Sequence, residues 1–186
     1  MKKGREKMSF VAEKNKTEMK RKKEIKLYNV IFPIWILWII PITWIIVLPA
    51  NFIIDLLVVV LTMKFLKVSD IRENAKAVIA RVWIMGFVAD FIGTLAMFMA
   101  EFGPESSRWW SDNITYPVSY SPFDTIFSFL WVTACVMLTA FFIYLFNSKW
   151  CLKKANLDAG QKKKVALSLA VFTAPYLFYL PTKWFF

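Results

Sequence analysis

Long apolar segments separated by clusters of lysine and arginine constrain this chain more than any other feature. A helix needs about 20 apolar residues to cross the roughly 30 Å hydrocarbon core of a bilayer. Five segments reach or approach that length, at residues 28–48, 51–66, 78–100, 123–147 and 164–180. Hydrophobic residues make up 58% of the chain, well above the apolar share of ordinary soluble domains. The pattern predicts an all-α, polytopic integral membrane protein with five transmembrane helices.

The connections between these segments carry their own signals. Pro49 and Asn51 follow the first segment, and they predict a tight hairpin in which Pro49 ends one helix and Asn51 caps the next. Ser69 is the expected cap of a short helix that runs into the third span. The segment 101–122 is rich in aromatic residues, so we expect it to lie along the membrane surface.

The basic residues predict the orientation of the chain. Of the 24 lysines and arginines, 22 lie in the tail 1–26 or in the segments 64–81 and 148–164, and the other two are Arg108 and Lys183. Cytoplasmic flanks carry the excess of basic residues, so the N-terminus is predicted inside and the C-terminus outside. The chain is thus divided into a basic cytoplasmic tail, 1–26, and a transmembrane bundle, 27–186, in a bacterial-type plasma (inner) membrane. We expect the tail to attract anionic lipid at about 1 kcal/mol per basic residue.

Several classes of function are excluded or disfavoured by composition. The net charge of +11 suggests nucleic acid only in a soluble protein, and here the basic residues flank apolar segments, so we expect no nucleic-acid partner. The absence of histidine removes Ser–His and Cys–His catalysis and the histidine-based zinc sites. Cys135 and Cys151 show no metal-ligand spacing. We therefore expect no metal, no cofactor and no enzymatic activity.

Asp90 is the ionisable residue most deeply placed in an apolar segment. It lies near the middle of the third span, where a carboxylate costs about 2.5–3.5 kcal/mol on insertion scales. Gly86 and Gly93 share a helix face with it, so this face is predicted to pack closely against another helix. Counting equal depths from the helix ends places Thr173 and Tyr176 at its level. Asp90 is therefore either a proton or cation site built with these residues, or a hydrogen-bonded clip between helices.

Asp55 is the second carboxylate within an apolar segment. If the second span begins at Asn51, Asp55 lies in its first turn near the outer surface, about 9 Å shallower than Asp90 by helix rise. A carboxylate in that first turn is stabilised by the helix dipole. A structural role is therefore favoured for Asp55, with a site role as the alternative.

Two short stretches around these aspartates resemble a known pair of motifs. Residues 51–55 (NFIID) and 87–90 (FVAD) are similar to the aspartate motifs of bacterial lipoprotein signal peptidases, in the same chain order. The first motif is one residue too long, Leu56 replaces the expected basic residue, and the second motif lacks its asparagine. The resemblance covers nine of the 186 residues and assigns no family. It implies an aspartate dyad sharing a proton as one hypothesis.

Three functions remain open. The first is a non-catalytic subunit or accessory partner of a membrane complex, docking on another membrane protein or on a second copy. The alternative is a small transport or permeation protein that uses a mid-membrane site at Asp90. The second alternative is an intramembrane aspartate-dyad enzyme. The odd number of predicted spans and the single deep carboxylate favour the first hypothesis.

Overall fold

The computed structural model describes residues 44–103 and 107–184, which belong to one compact unit. Within these ranges the chain forms helices and no strand, so the all-α prediction is confirmed for this part. The longer helices are α1 (Trp44–Phe65), α2 (Ile71–Phe98), α3 (Ile126–Lys149) and α4 (Ala159–Phe172). The predicted tail 1–26 and most of the first predicted span, 28–43, lie outside the described residues.

Three of these helices are long and apolar enough to cross a membrane. They are α1, α2 and α3, the last two continued by single 3₁₀ turns at Met99–Phe102 and Cys151–Lys154. Many large apolar side chains on them are exposed, including Leu61 at 61% and Phe141 at 56%. An apolar surface of this kind is stable where lipid replaces water as the solvent, so the structure supports a membrane-embedded protein.

The helices are arranged in a ring. α1 packs against α2 and α4, and α3 packs against the same two helices on the opposite side. The short connections 66–70 and 150–158 lie at one end of the bundle, and the longer connection 99–125 lies at the other. Asn74 links the two short connections, since its side chain donates to Ser69 O (3.1 Å) and accepts from Asn156 N (2.7 Å). The basic segments 64–81 and 148–164 therefore meet at the same end.

The predicted hairpin at Pro49 is wrong, because α1 runs without interruption from Trp44 to Phe65 with Pro49 inside it. Proline removes one backbone donor from a helix, but a chain that stopped being helical within lipid would leave many more backbone groups without a hydrogen bond. Contacts with α2 hold this part of α1: Phe52 packs edge-on against Trp83, whose indole N–H donates to Leu48 O at 2.9 Å. Asn51 is consequently an interior helix residue and not a cap.

The predicted fifth span, 164–180, is not one continuous helix. α4 ends at Phe172, and the chain continues through the 3₁₀ turns Tyr176–Tyr179 and Thr182–Trp184. Pro175 causes the break, since it cannot donate a helical hydrogen bond and it disfavours helical geometry in the residue before it. The backbone forms an inverse γ-turn there, with Pro175 at φ −76°, ψ 67° and Tyr176 N donating to Ala174 O at 2.8 Å.

The broken segment nevertheless traverses the bundle. Tyr179 Oη donates to Thr133 Oγ1 in α3 at 2.9 Å. Further along, Lys183 Nζ lies 2.9 Å from Asp124 Oδ1, just before α3 begins. Because α4 begins at the basic end and Lys183 reaches the opposite end, residues 159–184 cross the bundle as a helix followed by two short turns.

The connections differ from prediction in local detail. The described part of the segment 101–122 contains short helical turns over 108–120 and buries Ile114 and Val118, and its predicted position along the membrane surface stays a prediction. The third predicted span begins at Ile71, and the residue before it, Asp70, has a left-handed backbone (φ 53°) and makes no side-chain cap. Ser69 is therefore not the cap, because the helix begins one residue too late for that role.

Candidate functional site

Asp55 lies near the middle of the described part of α1, and Asp90 lies in the last third of α2, eight residues before Phe98. Asp55 is in α1 and is 6% exposed, and Asp90 is in α2 and is 5% exposed. The predicted position of Asp55 in the first turn of a helix is wrong, because the described part of α1 already places roughly 16 Å of helix before Asp55. The Asp55 side chain lies beside Gly86 of α2, one helical turn before Asp90, so about 6 Å of helix rise separates the levels of the two carboxyl groups.

Gly86 brings the two carboxyl groups together. It lies one helical turn before Asp90 on α2, and a Cβ built on Gly86 would be 3.5 Å from Asp55 Oδ2. The Asp55 side chain thus rests against the bare backbone of α2, within electrostatic range of Asp90. Among the described residues no hydrogen bond joins the two carboxyl groups, and Asp90 Oδ1 is buried without any hydrogen-bond partner.

Both aspartates line one cleft with a volume of about 460 Å³. Its wall is completed by Asn51 of α1, by Ile143 of α3 and by the broken segment that follows α4. Phe123 and Trp184, at the end of the bundle opposite the basic segments, also belong to the wall. The cleft therefore extends from the middle of the bundle towards that opposite end.

Thr173 and Tyr176 also line the cleft, but their hydroxyl groups bind backbone and not Asp90. Thr173 Oγ1 donates to Leu169 O at 2.8 Å, and Tyr176 Oη donates to Val171 O at 2.6 Å. The Val171 carbonyl is the group that Pro175 leaves without a helical partner. The structure thus brings all four site candidates, Asp90, Asp55, Thr173 and Tyr176, to the wall of one cleft.

Gly93 lies in a tight contact on the other side of Asp90. A Cβ built on Gly93 would overlap Thr139 Oγ1 of α3 and would lie 3.1 Å from Phe178 Cε2. Thr139 is fully buried and donates to Cys135 O at 2.9 Å. Gly86 therefore faces α1, whereas Gly93 faces α3 and the 3₁₀ turn after the break.

The charges in the cleft have one sign. Its lining contains Asp55 and Asp90, and no lysine or arginine is present among the described residues that form the wall. A buried carboxylate without a cationic partner or a full set of hydrogen bonds is costly in an apolar medium, so it is expected to hold a proton or to bind a cation. This arrangement can bind and release positive charge.

Other chemistry has less support in the described part of the chain. No group of three or more metal-binding side chains occurs in the described ranges. Cys135 and Cys151 are free and buried, in separate parts of the bundle, and Cys151 Sγ contacts Arg81 O at 3.5 Å.

Two features of α1 were not predicted from the sequence, namely that Asn51 lines the cleft and that Asp55 lies far from a helix end. These two residues are four apart, which places them on one face of a helix if that helix continues through Pro49. Helix-interior proline is common in membranes, so a 22-residue helix from Trp44 to Phe65 was an available interpretation. Nothing in the sequence indicated that Phe123 and Trp184 would line the same cleft as the aspartates, since both are remote in sequence from Asp55 and Asp90.

No protein-family model, no curated protein and no solved structure matches this chain. The proposal below therefore depends on the residues of the cleft.

Proposed function

We propose that this protein is a small multi-pass transport or permeation protein in which Asp55 and Asp90 bind a proton or a cation at mid-membrane depth. The observation that carries the proposal is Asp90 Oδ1, a buried carboxylate oxygen without a partner in a cleft shared with a second carboxyl group. Ionisable residues at this depth mark ion or substrate pathways by default. The broken segment at Pro175 supports the proposal, because interrupted helices line the central sites of many transporters.

The main competing interpretation of Asp90 is an interhelical clip. A clip stabilises the bundle through hydrogen bonds to a neighbouring helix, each contributing about 0.6 kcal/mol in membranes. Placing an aspartate at the centre of a membrane helix costs about 2.5–3.5 kcal/mol on insertion scales, so one such bond offsets only part of that cost. Asp90 Oδ1 makes none of them, which favours a binding role over a clip.

We further propose five spans with the N-terminus in the cytoplasm, the C-terminus outside, and a bacterial-type plasma membrane as the location. The clustering of 22 of the 24 basic residues in three segments supports this orientation. Two of these segments meet at one end of the bundle, which would face anionic lipid of the inner leaflet. The cleft would then open towards the outside.

A subunit or accessory role in a membrane complex is a second candidate, favoured by α1. In the most apolar 18-residue stretch of α1, 11% of the residues are buried, against 33% in the corresponding stretches of α2 and α3. This helix would therefore offer the larger free face to a partner protein or to a second copy. Such an assembly is compatible with transport, because a partner or a second copy would add helices to the described ones that surround the cleft.

One observation supports the hypothesis of an aspartate-dyad enzyme, namely that Asp55 and Asp90 line the same cleft. A dyad that shares a proton needs its two carboxyl oxygens in hydrogen-bond contact, roughly 3 Å apart as in the aspartic proteases. No such bond joins them here, so we retain a non-catalytic function as the proposal.

Proton movement in reconstituted vesicles tests the proposed function. The full-length protein is placed in liposomes that contain a pH-sensitive dye, and a pH step is applied across the membrane. We expect a flux above that of empty liposomes, reduced to background in Asp90→Asn and lowered in Asp55→Asn. Asp112→Asn is the matched control, because Asp112 is exposed and lies outside the cleft.

Two results would contradict the proposal. One is a flux that is equal in wild type and Asp90→Asn while both proteins are folded by circular dichroism. The other is a wild-type flux indistinguishable from empty liposomes under both directions of the pH step.

A further inference from the structure

We infer that the cleft binds a lipophilic organic monocation, such as a quaternary phosphonium or ammonium compound, rather than a bare metal ion. The inference rests on the proposed function and specifies its substrate class. It follows from the size of the cleft, the charge at its inner end and the aromatic residues at its outer end.

Size is the first argument. Pockets for small organic molecules typically have volumes of about 300–1,000 Å³, whereas one water molecule occupies about 30 Å³ of liquid. The cleft, at about 460 Å³, falls in the range for organic molecules. A bare ion would leave most of this space unfilled, and the described residues contain no cluster of three metal-binding side chains that could surround it.

Charge is the second argument. Asp90 Oδ1 is an acceptor without a partner in a side chain that is 5% exposed, and Asp55 Oδ2 lies against Gly86 in the same cleft. Lys183, the cation closest in sequence to the outer wall, is occupied by Asp124 at 2.9 Å. The negative charge of the cleft is thus not neutralised by a basic side chain of its wall, and it complements a cationic ligand.

The aromatic wall is the third argument. Phe123 and Tyr179 are stacked with ring centroids 6.3 Å apart, and both line the cleft together with Tyr176 and Trp184. Tyr176 is 54% exposed and Trp184 is 68% exposed, and Trp184 lies at the outer end of the cleft. Aromatic faces attract cations through the ring quadrupole and accommodate apolar substituents, a combination that suits an organic cation.

The test uses two probes of matched shape and opposite charge. Tetraphenylphosphonium and tetraphenylborate are titrated into the full-length protein in mild detergent, and binding is followed by calorimetry and by tryptophan fluorescence. We expect saturable binding of the phosphonium ion at one site per chain and no saturable binding of the borate. Equal binding of both probes would overturn the inference, because it would indicate apolar partitioning without recognition of charge.

Variants locate the site. We expect Asp90→Asn to weaken phosphonium binding at least tenfold, and Trp184→Ala to weaken it about threefold to tenfold through loss of the cation–π contact. Asp112→Asn is expected to bind as wild type does. Unchanged binding in both Asp90→Asn and Asp55→Asn, with melting temperatures equal to that of the wild type, would overturn the inference.

The binding and flux measurements test the two proposals independently. Flux that depends on Asp90 without phosphonium binding would refute the organic cation and leave the proposed function intact. Binding that depends on Asp90 without any proton flux would refute proton transport and leave the cation site in place.

Discussion

The contact at Gly93 allows a quantitative prediction about the packing of α2 against α3. In Gly93→Ala, the added methyl group would overlap Thr139 Oγ1 and would lie 3.1 Å from Phe178 Cε2 and 3.3 Å from Thr139 Cβ. All three separations are tighter than ordinary van der Waals contact. Either the helices must separate or Thr139 must rotate and lose its hydrogen bond to Cys135 O.

The expected cost follows from these two responses. Overpacking a well-packed core typically costs about 1–3 kcal/mol. The intramembrane hydrogen bond of Thr139 contributes about 0.6 kcal/mol. Because the two responses are alternatives, we expect Gly93→Ala to lower the free energy of unfolding by roughly 1–3 kcal/mol. For a chain of this size, that loss corresponds to a melting temperature lower by roughly 2–12 °C.

A thiol-reactive fluorogenic dye provides the assay, because Cys135 and Cys151 are free and buried and become reactive when the bundle opens. Gly86→Ala is the matched control, since its new Cβ would lie at an ordinary 3.5 Å from Asp55 Oδ2. Alanine is the better helix former by up to about 1 kcal/mol, so this control is expected to be neutral or slightly stabilised.

A double-mutant cycle tests the mechanism. Thr139→Ala removes the hydroxyl group that the new methyl group would overlap, so Gly93→Ala should be less damaging in that background, with a coupling energy of about 1 kcal/mol or more. Destabilisation of Gly93→Ala by less than about 0.5 kcal/mol, within the range of ordinary surface substitutions, would refute the close contact. Equal losses in both backgrounds would show that Thr139 is not the cause.

Three further predictions concern the connections and the orientation. Asn74→Ala should lower the free energy of unfolding by about 1 kcal/mol, measured by the same dye, because it removes the acceptor of Asn156 N (2.7 Å); an unchanged melting temperature would contradict the link between the two short connections. Tyr179→Phe should lose about 0.6 kcal/mol with its hydrogen bond to Thr133 Oγ1, and a loss above 2 kcal/mol would show that the hydroxyl group has another role. A phosphatase fused to the C-terminus should be active in intact cells and a fluorescent protein at the same place should be dark, whereas the reverse result would contradict the proposed orientation.

Much of the architecture could be predicted from the sequence. Membrane helices must satisfy their backbone hydrogen bonds internally, so a long apolar segment predicts a helix whatever the other segments do. The second, third and fourth predicted segments each overlap one long helix, α1, α2 and α3. The prediction that Asp90 lies inside the third span depended on segment length in the same way, and Asp90 lies within α2, eight residues before Phe98.

The two errors in the course of the predicted spans arose at prolines. Proline removes one donor wherever it stands, but whether a helix continues past it depends on what the neighbouring helices provide. Pro49 stays inside α1, where the Trp83 indole N–H binds Leu48 O and the helix packs against α2. Pro175 ends its helical segment, and the Tyr176 hydroxyl group occupies the Val171 carbonyl. The sequence shows the same residue in both places, and the local pattern does not distinguish them.

The sequence by itself determined that the chain is helical and apolar, with its basic residues grouped in three segments and a carboxylate deep in one of the helices. Tertiary structure alone decided that Asp55 lies beside Gly86 and shares a cleft with Asp90, and that Phe123 and Trp184 form part of its wall at the end opposite the basic segments. The physical reason is that helix formation and lipid solubility are local properties of a segment. The distance between side chains on different helices depends on packing among several segments at once.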